Sequence, residues 1–304
     1  MSTCSTLRAV GRALVMGVLN VTPDSFSDGG CYFDHDKAVA RGIEMIAEGA
    51  DVIDVGGESS RPGAQPVPED EELRRVVPVI EALAGRARLS VDTAKPAVAE
   101  AALDAGATLL NDISASLWRA AAEAKAGWIC MHMRGEPATM QHDPRYEDVV
   151  GEVRRFLVQR ARAALEEGVE EVWIDPGIGF GKTYWHNLSL LRHLPELVDT
   201  GYPVLVGTSR KGFLGRLAAR RDGEPAPAGD RLAGALATAT WAMLAGVRML
   251  RVHDVAATVR AASLVGDCRL SSLPDGARSP GGPPAGSAGG GPLLGLVSKE
   301  VPTR

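Results

Sequence analysis

Short β-type apolar runs alternate with helix-period segments along the whole of residues 12–267. The runs are Leu14–Leu19, Asp51–Val55, Leu89–Val91, Thr108–Leu110, Trp128–Met131, Val172–Ile174, Pro203–Val206 and Met249–Val252. Between them lie segments such as Asp36–Glu48, Glu69–Leu83, Lys95–Ala105, Tyr146–Glu167, Leu188–Val198 and Arg231–Ala245. Val/Ile/Leu runs without strict alternation are the mark of strands buried on both faces, which is what parallel strands joined by helical crossovers become. Eight such runs fit an α/β fold of the (β/α)8 TIM-barrel type better than a doubly wound sheet.

Outside that unit the pattern fails. Residues 1–11 read as a lead-in. From Ser271 to Pro292, twelve of twenty-two residues are Gly or Pro, too few apolar groups to offset the entropy of ordering. Residues 268–304 are therefore expected to form a flexible tail. A net charge of −5 argues against a nucleic-acid partner, and no apolar run reaches the roughly 20 residues of a membrane span. Cys4, Cys31, Cys130 and Cys268 are scattered without CxxC pairing, so no zinc site or disulfide framework is expected. The N-terminal residues lack a secretory pattern, which predicts a cytoplasmic location.

Polar clusters follow nearly every strand candidate: Asn20-Val21-Thr22, Gly56-Gly57-Glu58, Asp92-Thr93, Asn111-Asp112, His132-Met133, Asp175-Pro176-Gly177, Thr208-Ser209-Arg210-Lys211 and Arg251-Val252-His253-Asp254. In a barrel these ends converge on the rim where active sites are built. One Asp after a strand is usually a helix cap; eight clusters on one rim predict an enzyme site. The loops after the first two strands are long, Pro/Gly-punctuated and polar, as expected of lids. Arg61, beside Pro62-Gly63, has the fork geometry for an anion. Arg251 and His253, two residues apart, share a strand face. Two rim carboxylates could also serve a glycosidase, although Asn111, Lys211 and the Arg251/His253 pair have no evident sugar role. Gly181-Lys182-Thr183 is not a phosphate-binding P-loop, because Pro176 occupies the position that needs glycine.

The segments 16–30 (MGVLNVTPDSFSDGG) and 54–64 (DVGGESSRPGA) resemble the first and second signatures of the dihydropteroate synthases. The similarity continues in order through Ser90-Val91-Asp92-Thr93, Asn111-Asp112-Ile113-Ser114, Met131-His132-Met133-Arg134-Gly135, the run 175–182 (DPGIGFGK), Gly207-Thr208-Ser209-Arg210-Lys211 and Arg251-Val252-His253-Asp254. The resemblance implies joining of 6-hydroxymethyl-7,8-dihydropterin pyrophosphate to 4-aminobenzoate, releasing pyrophosphate, with Mg²⁺. It assigns Asp92, Asn111, Met133, Asp175 and Lys211 to the pterin, and Asn20, Arg61, Arg251 and His253 to the diphosphate, with Asn20 as the metal ligand. Thr22, Phe26, Ser60, Pro62, Phe180, Lys211 and Gly212 would surround 4-aminobenzoate, and Lys211, Arg251, His253 and Asp92 would carry catalysis. It also implies competition by sulfonamides and a homodimer. Ala115 departs from the pattern, where glycine is common. A pterin-binding methyltransferase and a non-catalytic pterin-binding homologue are the alternatives; the former has no pyrophosphate to expel and so no use for Arg61, Arg251 and His253.

Overall fold

A computed structural model describes residues 11–22, 34–59, 64–219 and 223–270. Eight strands run in parallel: β1 (Leu14–Asn20), β2 (Val52–Gly56), β3 (Arg88–Thr93), β4 (Leu109–Asp112), β5 (Gly127–Met131), β6 (Val172–Asp175), β7 (Leu205–Val206) and β8 (Met249–Val252). Each pairs with its sequence neighbour from β1 to β6, β8 joins β1 to β7, and the bridge Ile174↔Val204 closes the ring between β6 and β7. The result is the expected barrel.

The helices are α1 (His35–Ala47), α2 (Glu69–Leu83), α3 (Pro96–Asp104), α4 (Trp118–Glu123), α5 (Val149–Glu166), α6 (Tyr184–Arg192), α7 (Leu194–Val198), α8 (Gly212–Leu217), α9 (Leu232–Leu244) and α10 (Val255–Leu270). Local chemistry sets their ends. Glu69, Asp70, Glu71 and Glu72 fill the first turn of α2, where carboxylates oppose the helix dipole favourably. Pro96 opens α3, where a missing N–H costs nothing. Asp148 caps α5 through the Gly151 N–H at 3.0 Å, so that helix starts at Val149 rather than the expected Tyr146.

Several expectations are corrected. The single helix predicted over 188–198 is two: Thr183 and His186 form a capping box that starts α6 earlier, and α7 begins afresh with Pro195 in its first turn. The strand predicted from Pro203 narrows to Leu205–Val206, since proline has no N–H for the ladder. The last helix continues to Leu270, past the 267 at which the sequence pattern ends the folded unit. Residues 1–10 and 271–304, which hold most of the expected lead-in and tail, lie outside the described residues.

The barrel interior is built in layers. Met16, Val52, Leu109, Ile129, Trp173, Leu205 and Met249 form one apolar cluster inside the ring. A second, larger core joins the outer strand faces to the helices, through residues such as Val15, Leu19, Ile53, Val55, Leu110, Trp128 and Ile174. Side chains alternate along a strand. Two residues beyond the inner cluster, on the same face, stand Val18, Asp54, Asn111, Met131, Asp175, Gly207 and Arg251. The inner layer thus turns polar just where the strands end.

Candidate active site

Above the apolar layer a cavity of about 860 Å³ opens at the C-terminal rim. Of the residues singled out in the sequence, Asn20, Asp92, Asn111, Asp175, Phe180, Lys211, Gly212, Arg251 and His253 all line it. They come from six of the eight strands or the loops following them, so it is barrel closure that assembles the site. Phe26, Ser60, Arg61 and Pro62 lie outside the described residues. Thr22 is half-buried but is not among the lining residues. Met133 does not line the cavity either. It packs against the cluster of Met131, Met140 and Phe180, and Met131, which shares the inner face of β5 with Ile129, supplies the thioether wall instead.

The floor is ionic. Arg251 donates from Nε to Asp54 Oδ2 at 2.6 Å and from Nη2 to Asp92 Oδ2 at 2.6 Å. Asn111 Nδ2 adds a 3.0 Å bond to the same Asp54 oxygen. Asp54 is fully buried and Asp92 is 8 % exposed. Burial pushes the Asp92 carboxyl up from its ordinary range, against the pull of Arg251, and the Asp54 and Glu72 charges add to the rise. The Arg251 guanidinium is held charged, its neighbours Asp54 and Asp92 outweighing desolvation. Nη1 of Arg251 has no hydrogen bond among the described residues.

Asp175 ends β6 with both its environment and its geometry set by the next loop. Burial raises its pKa, and the Gly177 N–H, bonded to Oδ1 at 2.7 Å, and the cations Lys211, Arg251 and Lys182 oppose the rise. Gly177, with φ +63°, is obligatory here. A Cβ would land on the carbonyl oxygen of His132. The loop then carries Phe180 to the cavity, where the Lys211 ammonium stands 3.8 Å from its ring centroid. His253 meets Ser209 through both Nδ1 and its backbone N–H, each 3.1 Å from Oγ.

Some rim residues are not part of the site. Asp112 is fully buried and organises its own loop, accepting from the Ser114, Ser116 and Leu117 N–H groups and from Trp128 Nε1. Ala115 within that loop has φ +53°, a left-handed conformation that explains why glycine suits the position. Others were missed by the sequence reading. Asp54 was hidden in an apolar run. Lys95 bridges Glu58 and the buried Glu72, and Thr93 Oγ1 donates to Glu72 at 2.8 Å, bracing the start of the loop after β2. Lys182, Ser209 and Asn187 also line the cavity; all stand in or near quoted motifs, but their type and spacing carried no signal.

A buried carboxylate facing cations across a polar floor, on the rim of a parallel barrel, suits a flat heterocycle with a donor edge and an anionic tail. Residues 16–253 match the family of pterin binding enzymes, which gives the class. Within that class the chain belongs to the dihydropteroate synthase family. It is 47% identical over 261 residues to the dihydropteroate synthase of Mycobacterium leprae, covering 83% of this chain and 92% of the relative. The dihydropteroate synthase structure from Xanthomonas albilineans with 4-aminobenzoic acid superposes with a TM-score of 0.78 at 47% identity, covering 85% of this chain and 94% of that one. That of Yersinia pestis in a sulfonamide drug complex gives 0.78 at 45% identity, with the same coverage.

Proposed function

We propose that the barrel condenses 6-hydroxymethyl-7,8-dihydropterin pyrophosphate with 4-aminobenzoate to give 7,8-dihydropteroate and pyrophosphate, a transferase step of folate biosynthesis. The observation that carries this reading is the convergence of Asp175, Asp92, Asn111, Lys211, Arg251, His253 and Asn20 on one cavity. A pterin presents N3–H and a 2-amino group side by side, and one carboxylate, Asp175, accepts both. Asp92 and Asn111 take the remaining polar edge, Met131 packs on the ring, and Lys211 donates to a ring carbonyl or nitrogen.

The reaction breaks the bond between the exocyclic methylene carbon and the diphosphate oxygen. It forms a bond from the arylamine nitrogen to that carbon, and the amine proton leaves to solvent or the departing diphosphate. The arylamine is already nucleophilic, so no strong base is required. The reduced pterin delocalises the developing positive charge, and an ionised Asp175 under its donor edge stabilises that charge where it grows. Arg251, through Nη1, and His253 hold the departing diphosphate, with Arg61 contributing from the loop after β2. Phe180, Lys211 and Gly212 receive 4-aminobenzoate, with Thr22, Phe26, Ser60 and Pro62 closing over it by family resemblance.

The donor set fits Mg²⁺ held mostly by substrate. Among the described residues no three His, Cys, Asp or Glu side chains cluster as a metal site. Asn20 offers one neutral oxygen at the cavity wall, in keeping with an ion that retains water and phosphate oxygens. Bound there, Mg²⁺ would neutralise diphosphate charge. Against a glycosidase, Asp54 and Asp92 are committed to Arg251 rather than poised as an acid/base pair.

A homodimer and a cytoplasmic location belong to the same proposal. Trp241, Leu244 and Leu264 on α9 and α10 are 56 %, 60 % and 67 % exposed, a patch suited to burial against a second copy; sedimentation of Leu244→Glu tests it. The decisive assay is pyrophosphate release with dihydropterin pyrophosphate, Mg²⁺ and 4-aminobenzoate, omitting each in turn. Release that depends on 4-aminobenzoate and is inhibited competitively by a sulfonamide supports the reading. Pterin binding without release would favour a non-catalytic homologue.

A further inference from the structure

The geometry points to Lys182 as a positioning residue for the arylamine pocket, one that fixes the Phe180 wall by tying it to the end of β5. This inference rests on the function proposed above and concerns how its second substrate is held.

Lys182 is 2 % exposed, yet among the described residues no carboxylate lies within salt-bridge reach of its ammonium. Its three donors go to neutral acceptors: the Phe180 carbonyl at 2.9 Å, His132 Nδ1 at 3.0 Å and the His132 carbonyl at 3.2 Å. One side chain thus joins the loop after β6 to the residue that follows β5. Burial pulls the Lys182 pKa down to about 7 and that of His132 down to about 3, so the ring stays neutral and can accept through Nδ1 in its Nε2–H tautomer. A buried cation whose nearest counter-charge, Asp175, lies beyond salt-bridge reach is costly to keep. A methionine or leucine would fill the same space more cheaply, so the donors themselves must be what the position requires.

What they hold is a loop with little stiffness of its own. Gly177, Gly179 and Gly181 all have positive φ, and between them stand Ile178 and Phe180. Other bonds pin the same loop: Gln141 Nε2 to the Gly179 carbonyl at 2.6 Å, the Gly179 N–H to Asn187 Oδ1 at 2.7 Å, and Tyr146 Oη to the Gly181 carbonyl at 2.9 Å. Among the described residues, only Lys182 binds the carbonyl of Phe180 itself. That residue's ring is the one facing Lys211. The pterin pocket depends less on Lys182, since Asp92 and Asn111 are held by the barrel floor and Asp175 by its place at the end of β6 and the Gly177 N–H at the start of the loop.

Lys182→Met keeps the stem and removes the donors. Its steady-state kinetics should show KM for 4-aminobenzoate raised about tenfold, the scale of a lost charged hydrogen bond. KM for dihydropterin pyrophosphate should stay within about twofold of wild type. Gln141→Ala, which removes the bond to the neighbouring Gly179 carbonyl of the same loop, should shift KM in the same direction by less. A purely structural role would lower thermal stability and affect both substrates alike. Equal changes in both KM values, or an unchanged KM for 4-aminobenzoate, would overturn the assignment. If Lys182→Met does not fold, Gln141→Ala decides by the same split. If wild-type protein releases no pyrophosphate at all, the function has failed rather than this inference. Calorimetric titration of 4-aminobenzoate into pterin- and pyrophosphate-loaded wild-type and Lys182→Met protein then reads the pocket directly, and equal affinities would overturn the assignment.

Discussion

Replacing Arg251 by methionine should destabilise the fold in a strongly pH-dependent way, because the residue that serves the substrate also neutralises the barrel floor. Among the described residues, Asp54 Oδ1 is buried with no hydrogen-bond partner. Apart from Arg251, its recorded compensation is the neutral 3.0 Å bond from Asn111, and Arg251 is the recorded partner of Asp92. Removing one member of a buried ion pair costs about 3–5 kcal/mol. Here one guanidinium serves two carboxylates, so the loss at pH 8 should fall in that range. It should lie well above the usual point-mutant effect of about 1 kcal/mol.

The sign of the pH dependence follows from proton uptake. Without the guanidinium, the buried Asp92 carboxyl, already raised beside Arg251, rises further above the unfolded value near 4. Between that value and the raised one, the native state binds protons that the unfolded state does not, so the variant's stability falls as pH rises through this window. Because wild-type Asp92 is itself raised to about 7, the two proteins diverge above that pH, so the deficit should be greatest at pH 8 and shrink by about 1.4 kcal/mol at pH 5. Urea unfolding followed by the fluorescence of buried Trp128 and Trp173 measures this at both pH values. Adding Asp54→Asn should recover stability at pH 8, whereas Arg251→Lys should recover only part, since one ammonium cannot reproduce a fork bonded from two nitrogens. A deficit below about 1 kcal/mol at pH 8, or one equal at both pH values, refutes the view that Arg251 is the floor's counter-charge.

Asp175→Asn should weaken pterin binding by about 1.5–3 kcal/mol, the scale of a charged hydrogen-bond pair, and calorimetry showing intact affinity would dislodge it from the pterin edge. Ala115→Gly should raise the unfolding free energy by about 0.5 kcal/mol, since it relieves a left-handed alanine at φ +53° worth 1–2 kcal/mol while adding unfolded-state entropy. A measured loss would show that Ala115 is unstrained. Gly177→Ala must displace the His132 carbonyl and should abolish pterin binding even where circular dichroism shows a folded barrel; retained affinity would contradict the tight approach.

The strands were legible because buried parallel strands write themselves as apolar runs. Their ends were not. Arg88 and Thr93 extend β3, Asp112 extends β4 and Asp175 extends β6, since the backbone ladder continues after the apolar pattern stops. The six-residue α4, rich in alanine, has too few turns to show a period. At the site, motif resemblance found the rim groups, but a strand buried on both faces conceals which residues point inward. Asp54 and Val55 look alike in such a run until closure sends one to the floor and the other to the helices. Asp112 shows the converse: it looked like a site residue and instead folds its own loop.

This concealment has a physical cause that ties stability to function. Register places Met16 opposite Arg251 and Val18 opposite Asp54, so an apolar layer and an ionic one are successive storeys of a single closed interior. The ionic storey cannot be solvated without opening the barrel, and it cannot be replaced by apolar groups without losing the ligand's partners. Its charges are therefore matched to one another first, Asp54 and Asp92 to Arg251, with Asn111 adding a neutral bond. A substrate bringing its own anions competes for Arg251 only through Nη1, which that network leaves over. The site binds through the remainder of an internal balance, so substitutions on the floor should register in unfolding experiments as clearly as in kinetics.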